Sequence, residues 1–242
     1  MGTSRFLTAE WRWLAMLNYE IEPPVIARYL PHGTELDEWN GRHFVSLVGF
    51  LFLDTRVLGV PIPFHCNFEE VNLRFYVRRK SEEGWRRGVV FVKEIVPKFA
   101  VAAVARMIYN ENYVALPMRH RIDLNGTELR QNGMVEYGWR DRNEWNRIEA
   151  VTSGDARYPA SGSEEEFITE HYWGYAAQRD GGCVEYRVEH PQWRVWKATQ
   201  ARFECQVQEL YGAEFAAALN QPPCSAFVAE GSPVTVHRGV RL

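Results

Sequence analysis

The spacing of apolar and polar residues along the chain predicts many β-strands and few helices. Residues 44–52 (FVSLVGFLF) are apolar at nearly every position, which is typical of a central strand with both faces covered. Residues 70–77 (EVNLRFYV) alternate strictly between polar and apolar side chains. Similar patterns predict further strands over residues 88–96, 134–140, 145–151, 173–177, 183–190, 193–204 and 225–236.

Helices are predicted in three places, over residues 22–29, 98–110 and 211–220. Residues 153–166 are rich in Gly, Ser and acidic side chains, which predicts a surface loop. Many evenly spaced strands with two or three helices indicate a mainly β (α+β) fold. Polar residues recur in register on strands that otherwise look buried, which favours a closed antiparallel β-barrel. Because no long linker or repeat divides the chain, we expect residues 1–242 to form a single domain.

The composition narrows the classes of function. The chain has 242 residues, of which 46% are hydrophobic, and a formal net charge of −3 without a basic stripe, so nucleic acid is not an expected partner. No apolar run reaches the roughly 18 residues of a membrane helix, so no membrane partner is expected either. The four cysteines form no C-x-x-C pair, which predicts reduced thiols in a cytoplasmic protein.

The polar face of residues 70–77 is the first candidate site. It carries Glu70, Asn72 and Arg74 at alternate positions, which extend over about 13 Å of strand. On an isolated alternating strand such a face usually points to solvent. Asn is depleted in strands, however, and the planar guanidinium of Arg suits a carboxylate. The two readings left open are a solvent-facing stripe and the polar wall of an enclosed pocket.

The strand over residues 88–96 carries a second buried carboxylate and leads to a lysine. Glu94 is expected to share a face with Val90, Val92 and Val96, so its charge must be paired or suppressed. Lys98 follows at the start of the predicted helix, where the helix dipole and burial both favour a neutral amine. A neutral amine can attack a carbonyl to form an imine. The alternative is an ordinary solvated lysine.

Further candidates follow in the predicted helix and after it. Arg106 is the only charged residue of that helix interior, and it either extends to water or reaches Glu70 or Glu94. Tyr109 and Tyr113 come at the exit of the helix and are candidates for a pocket rim or for half-buried packing.

Two Glu-His pairs, at His171 and His190, suggest a metal site. Their spacing matches no known ligand pattern, so no metal is predicted, and His190-Pro191 is interpreted as a structural turn. The sequence also lacks a nucleophile elbow, a phosphate loop and a dinucleotide fingerprint. No cofactor is therefore expected.

Several sequence blocks follow one another along nearly the whole chain, among them FLTAEWRWL, GVPIPFHCNFEEVNLRFYV, RGVVFVKEIVPK, FITEHYWGY and YRVEHPQW. These blocks resemble the YqjF-like proteins, a family similar to the acetoacetate-decarboxylase-like superfamily. The resemblance implies a closed, cone-shaped antiparallel barrel with flanking helices and an interior pocket. It also implies that Glu70 lies in the pocket and that Lys98 stands at the position of the decarboxylases' imine-forming lysine. Phe99 replaces the second lysine of those enzymes, and the segment before the proline is shorter.

Two functions are therefore expected for the interior pocket. The first is binding of a small metabolite, with a carboxylate as the candidate ligand. The alternative is a decarboxylase-like lyase acting on an oxo-acid, with Lys98 as nucleophile and Glu70 and Glu94 as acid/base groups. The residues expected to contact the ligand are Asn72, Arg74, Arg106, Tyr109, Tyr113, Met118, His171 and Trp173. Barrels with many surface aromatic residues often associate, so a homo-oligomer is a candidate assembly.

Overall fold

Strands make up most of the regular structure in the computed structural model, which describes residues 4–98, 110 and 112–242. The strands are β1 (Arg5–Glu20), β2 (Glu35–Leu36), β3 (Phe44–Val57), β4 (Val60–Pro61), β5 (Phe68–Ser81), β6 (Gly84–Val96), β7 (Tyr113–Ala115), β8 (Met118–Ile122), β9 (Leu124–Asn125), β10 (Glu128–Leu129), β11 (Met134–Asp141), β12 (Glu144–Arg157), β13 (Trp173–Ala177), β14 (Cys183–Glu189), β15 (Val195–Glu204), β16 (Ser225–His237) and β17 (Val240–Arg241). The described helices are α1 (Pro23–Ala27), α2 (Glu164–Thr169), α3 (Val207–Leu210) and α4 (Ala213–Leu219). None of these described helices is long and apolar enough to cross a bilayer.

Seven strands close into a barrel. Their order around the ring is β14, β13, β6, β5, β3, β1 and β16, and β16 returns to β14 where Val236 pairs with Val188. Neighbours in the ring are antiparallel except β13 and β6, which run parallel where Trp173 pairs with Gly88. Because the ring is closed, each of its strands is hydrogen-bonded to a neighbour on both sides. The predicted mainly β fold with a closed barrel is confirmed, with this one parallel pair added.

A second layer covers one outer side of the barrel. Beyond β16 the sheet continues through β15, β12, β11 and β8. The layers approach so closely at Gly49 of β3 that a Cβ atom there would lie 2.7 Å from side-chain atoms of Tyr137 and Ile148. The outward faces of the barrel strands, including Leu73, are buried in this interface. The barrel wall is therefore apolar on its outer side, and polar groups on its inner side face a separate interior.

The longest strand, β1, is missing from the sequence prediction. It lies in the ring between β3 and β16. A register shift between Arg12 and Ala15, with Trp13 at φ 56°, changes which positions face inward. Trp11 faces the interior before the shift and Leu14 after it, so the alternation that marks a strand is interrupted.

Other differences concern element ends. The predicted loop over residues 153–166 is wrong at both ends, because β12 continues to Arg157 and α2 begins at Glu164. Ser163 caps that helix, since its hydroxyl accepts a hydrogen bond from the backbone N–H of Glu166. The helix predicted over residues 211–220 is observed as α4, and the short α3 lies before the predicted range. Gly212, with φ 103°, comes between the two helices. The helix predicted over residues 98–110 falls mostly on residues 99–109, outside those the structure describes.

Candidate functional site

The interior of the barrel contains a cavity of about 230 Å³. Most of its lining is apolar, and aromatic rings from several strands and from one strand connection provide much of it: Trp11, Phe50, Phe52, Phe68, Phe91 and Trp193. A small set of polar groups interrupts this lining. Concave, mostly apolar cavities with a few placed polar groups are the usual form of small-molecule sites.

The polar face of β5 points into this cavity. Glu70, Asn72 and Arg74 all line it, while the alternate residues of β5 are buried in the outer interface. Asn72 faces Glu94 across the sheet. The register with β6 then shifts between Leu73 and Arg74, which leaves Val92 as the extra residue of a bulge. With this bulge Val90 and Val92 both pack in the outer interface, so the prediction that they share a face with Glu94 is wrong.

Two carboxylates and an amide occupy one region of the lining. Glu70 and Glu94 are 3% and 1% exposed. The amide nitrogen of Asn72 donates to Oε1 of Glu70 at 3.0 Å, and the hydroxyl of Tyr113 donates to Oε2 at 3.4 Å. Because a carboxylate accepts, the amide nitrogen must face Glu70, which turns Oδ1 of Asn72 away. That oxygen is buried and has no hydrogen-bond partner among the described residues.

Arg74 is a half-buried cation in the lining. Its Nη2 donates to the carbonyl of Ile168 at 3.3 Å, and its guanidinium carbon lies 5.7 Å from the ring centre of Tyr76. Its Nε is buried without a hydrogen-bond partner, and no described carboxylate forms an ion pair with it. A desolvated guanidinium with spare donors is suited to an anionic ligand.

His171 lines the cavity from the segment after α2, with its side chain 2% exposed. Its Nε2 lies 3.6 Å from Oδ2 of Asp37, which also accepts a 2.6 Å hydrogen bond from Nε of Arg87. Burial lowers the pKa of His171 to about 4, and the charges of Arg87 and Arg74 lower it further against the opposing effect of Asp37. Burial alone would raise the pKa of Asp37, but its His171 and Arg87 partners lower it to about 2. The ring is therefore neutral at physiological pH, beside an ionised carboxylate.

His190 is a second neutral imidazole in the lining. Its ring stacks on Trp193 with 4.1 Å between ring centres, and its Nδ1 is 2.9 Å from the carbonyl of Pro191. Burial lowers its pKa to about 4. The interpretation of His190-Pro191 as a structural turn is incomplete, because the imidazole also faces the cavity.

A sequence profile of the DUF2071 family, described as an uncharacterized conserved protein, matches residues 8–233. The chain belongs to the DUF2071 family. The uncharacterized protein YqjF of Bacillus subtilis (strain 168) is 29% identical over 75 residues, a match that spans about a third of either protein, 31% of each.

Solved structures share the fold of this DUF2071 protein. The enduracididine biosynthesis enzyme MppR, complexed with pyruvate, superposes with a TM-score of 0.70 at 11% identity, covering 100% of this chain and 91% of MppR. An acetoacetate decarboxylase from Legionella pneumophila subsp. pneumophila str. Philadelphia 1 gives 0.67 at 13% identity, covering 100% of this chain and 90% of the decarboxylase. At such identities the likeness shows the fold alone, which is the acetoacetate-decarboxylase-like barrel expected from the sequence.

The remaining predicted site residues are distributed unevenly in the DUF2071 structure. Trp173 lines the cavity on β13, with the guanidinium carbon of Arg86 4.2 Å from its ring centre. Met118 lies on β8 in the second layer and is not among the lining residues. Arg106 and Tyr109 lie outside the described residues.

Lys98 is half-buried and also does not contribute to the described lining. Its charge acts on Glu69, whose side chain leaves β5 on the side opposite Glu70. Glu69 is 2.7 Å from Nδ1 of His120, and this hydrogen bond, with a smaller contribution from Lys98, lowers the pKa of Glu69. The imine-forming role of Lys98 remains a prediction.

Proposed function

We propose that this DUF2071 protein binds a small carboxylate with an apolar or aromatic body inside its barrel. The observation that carries the proposal is Arg74, a cation that faces the cavity without a carboxylate partner among the described residues. A partly buried charge without a counter-charge costs free energy, and an anionic ligand at Arg74 would offset that cost.

The shape of the cavity supports the same class of ligand. A volume of about 230 Å³ lies below the usual range for ligand pockets, and it suits a small metabolite better than a drug-sized molecule. The aromatic lining would bury a hydrophobic body, while the acid group reaches Arg74. A structural neighbour, MppR, has been solved with pyruvate, a carboxylate of this size class.

Isothermal titration of a series of short and aromatic carboxylates, each paired with its neutral amide, tests the proposal. We expect acids to bind and amides to bind at least tenfold more weakly, because charge-assisted hydrogen bonds contribute about 1.5–3 kcal/mol. Arg74→Met should weaken acid binding by about 10- to 100-fold.

Arg78→Met is the matched control. Arg78 lies on the same strand but not in the cavity lining, and its Nε donates to Oε1 of Glu35 at 2.6 Å. Equal acid binding by wild type and Arg74→Met, or equal binding of acids and amides, would refute carboxylate recognition at Arg74.

The alternative is a decarboxylase-like lyase that uses Lys98 as nucleophile, with Glu70 and Glu94 as acid/base groups. Its support is the shared fold with an acetoacetate decarboxylase and the buried carboxylates in the cavity. Borohydride reduction in the presence of oxo-acids, followed by peptide mass spectrometry, should give a reduced adduct on Lys98 that Lys98→Arg lacks. No adduct with any member of a broad panel would remove this alternative and leave binding at Arg74 untouched.

A further inference from the structure

We infer that the cavity selects carboxylates that also carry a hydrogen-bond donor, a hydroxyl or an N–H, close to the acid group. This inference rests on the proposed binding of a carboxylate at Arg74 and adds the chemical class of the molecule. It follows from two buried acceptor atoms, on Asn72 and on His171, in the part of the lining around Arg74.

The first acceptor is Oδ1 of Asn72. The hydrogen bond to Glu70 fixes the amide, so that the nitrogen is used and the oxygen is left over. Asn72 is 2% exposed, and its Oδ1 has no partner among the described residues. Leaving such an acceptor unpaired in a folded protein costs about 1–3 kcal/mol, which a donor on a ligand would recover.

The second acceptor is a ring nitrogen of His171. Its Nε2 faces the ionised carboxylate of Asp37, which Arg87 holds in place at 2.6 Å. At 3.6 Å from Asp37 this is a charge contact and not a hydrogen bond, and Nε2, like Nδ1, has no hydrogen-bond partner among the described residues. In a neutral imidazole one nitrogen carries the proton, and the negative charge of Asp37 favours it on Nε2. Nδ1 is then a bare lone pair, buried and without a partner among the described residues. Burial and the two nearby arginines keep the ring neutral, as its pKa of about 4 indicates.

These acceptors and Arg74 belong to one region of the cavity. Asn72 precedes Arg74 by two positions on the same face of β5, which separates their backbones by roughly 7 Å. His171 is near enough for the charge of Arg74 to influence its titration. Both His171 and Arg74 lie against Tyr76, at 4.7 Å between ring centres and at 5.7 Å from the guanidinium carbon. A ligand held by its acid group at Arg74 therefore has bare acceptors on neighbouring wall segments.

This arrangement distinguishes acids by whether they can donate a hydrogen bond to the two buried acceptor atoms. A hydroxy acid or an acid with a nearby N–H can donate to these acceptors. A 2-oxo acid presents only another acceptor, and an unsubstituted acid presents hydrocarbon, so both leave the buried lone pairs without a partner. Sites built around hydrogen bonds to a ligand hydroxyl reject analogues that lack it much more strongly than apolar pockets reject a size difference.

The experiment compares phenyllactate, phenylpyruvate and 3-phenylpropanoate by isothermal titration with the full chain. These acids share their ring and carboxylate and differ in carrying a hydroxyl, a carbonyl or neither. We expect phenyllactate to bind about 10- to 100-fold more tightly than the other two. His171→Phe, which keeps a flat ring but removes the acceptor, should reduce that preference, whereas His32→Phe, at an exposed position outside the cavity lining, should leave it unchanged.

The outcomes separate the two proposals. Equal or tighter binding of phenylpyruvate or 3-phenylpropanoate, with binding still dependent on Arg74, overturns the donor requirement and leaves carboxylate binding intact. Absence of binding by all three acids, or binding that Arg74→Met does not weaken, overturns the proposed function and this inference with it. If His171→Phe does not fold, the wild-type ranking of the three acids decides the question.

Discussion

Acidification should destabilise this protein through the two neutral histidines of the cavity. His171 and His190 both have pKa values lowered to about 4 by burial, against an ordinary value of 6.5. An unfolded chain would take up protons on both rings over this interval, while the folded chain would not. Since the unfolded state binds more protons, stability must rise with pH between these values and fall as the pH is lowered.

The size of the effect follows from the two pKa values. A ring that titrates near 6.5 when unfolded and near 4 when folded withdraws about 2 kcal/mol of stability between about pH 7.5 and about pH 5. Two such rings withdraw about 4 kcal/mol together if they act independently. Asp37 does not contribute in this window, because its pKa is lowered from 3.8 to about 2 and its own contribution is lost only at lower pH.

Urea unfolding at the two pH values, followed by tryptophan fluorescence, measures this difference. His171→Gln keeps a donor that can face Asp37 but cannot titrate, so the variant should lose about 2 kcal/mol less than wild type on acidification. His190→Gln should behave likewise, and His32→Gln, at an exposed position, should match wild type. The reasoning is refuted if wild type and His171→Gln lose the same stability between the two pH values.

Two further predictions concern the frame of the barrel. Gly231→Ala should destabilise the fold by about 2 kcal/mol or more in thermal melts, because Gly231 has φ 82° and a Cβ atom there would lie 1.9 Å from the carbonyl oxygen of Trp11. Gly33→Ala, with φ 79° and open space around it, should lose only about 1 kcal/mol, and an equal loss in both would contradict the steric argument. Phe215→Ala should destabilise by about 3–5 kcal/mol in urea, because Phe215 is 0% exposed. Since it packs outside the barrel, ligand affinity in that variant should stay within twofold if the protein is folded, and a large loss of affinity would show coupling between the two cores.

The polar face of β5 could be predicted from the sequence because strict alternation has one simple geometric consequence. Glu70, Asn72 and Arg74 share a face whatever their surroundings, so the open question was only which side that face meets. The buried outer face of β5 answers it, since Leu73 and its alternates pack under the second layer. An uninterrupted alternation of polar and apolar residues therefore predicts correctly which side chains of a strand share a face.

Bulges account for much of what the sequence did not reveal. In β1 the shift near Trp13 breaks the alternation within one strand, so neither half is long enough to stand out. In β6 a single extra residue moved Val92 to the outer face while Glu94 stayed inside. A bulge is fixed by pairing with the neighbouring strands, and no local composition marks where it falls.

The environments of His171 and His190 could not be predicted from the sequence either, because the charged residues that act on them are far away along the chain. His171 depends on Asp37 and Arg87, which reach it from a loop and from a different barrel strand. In the sequence, His171 and His190 each follow a glutamate, which suggested a metal; in the structure the partners that set their chemistry are other residues. Only the closed topology brings them together with Arg74.

The same reasoning separates ligand binding at Arg74 from imine chemistry at Lys98. Arg74 is placed in the cavity by the uninterrupted alternation of β5, whereas Lys98 follows a strand end and a proline, where alternation no longer fixes direction. Lys98 is half-buried and is not among the described residues that line the cavity. The proposed carboxylate binding at Arg74 therefore does not depend on Lys98, and the imine chemistry would need the amine of Lys98 to reach a ligand in the cavity. A protein that binds acids through Arg74 and forms no adduct at Lys98 is fully consistent with this barrel.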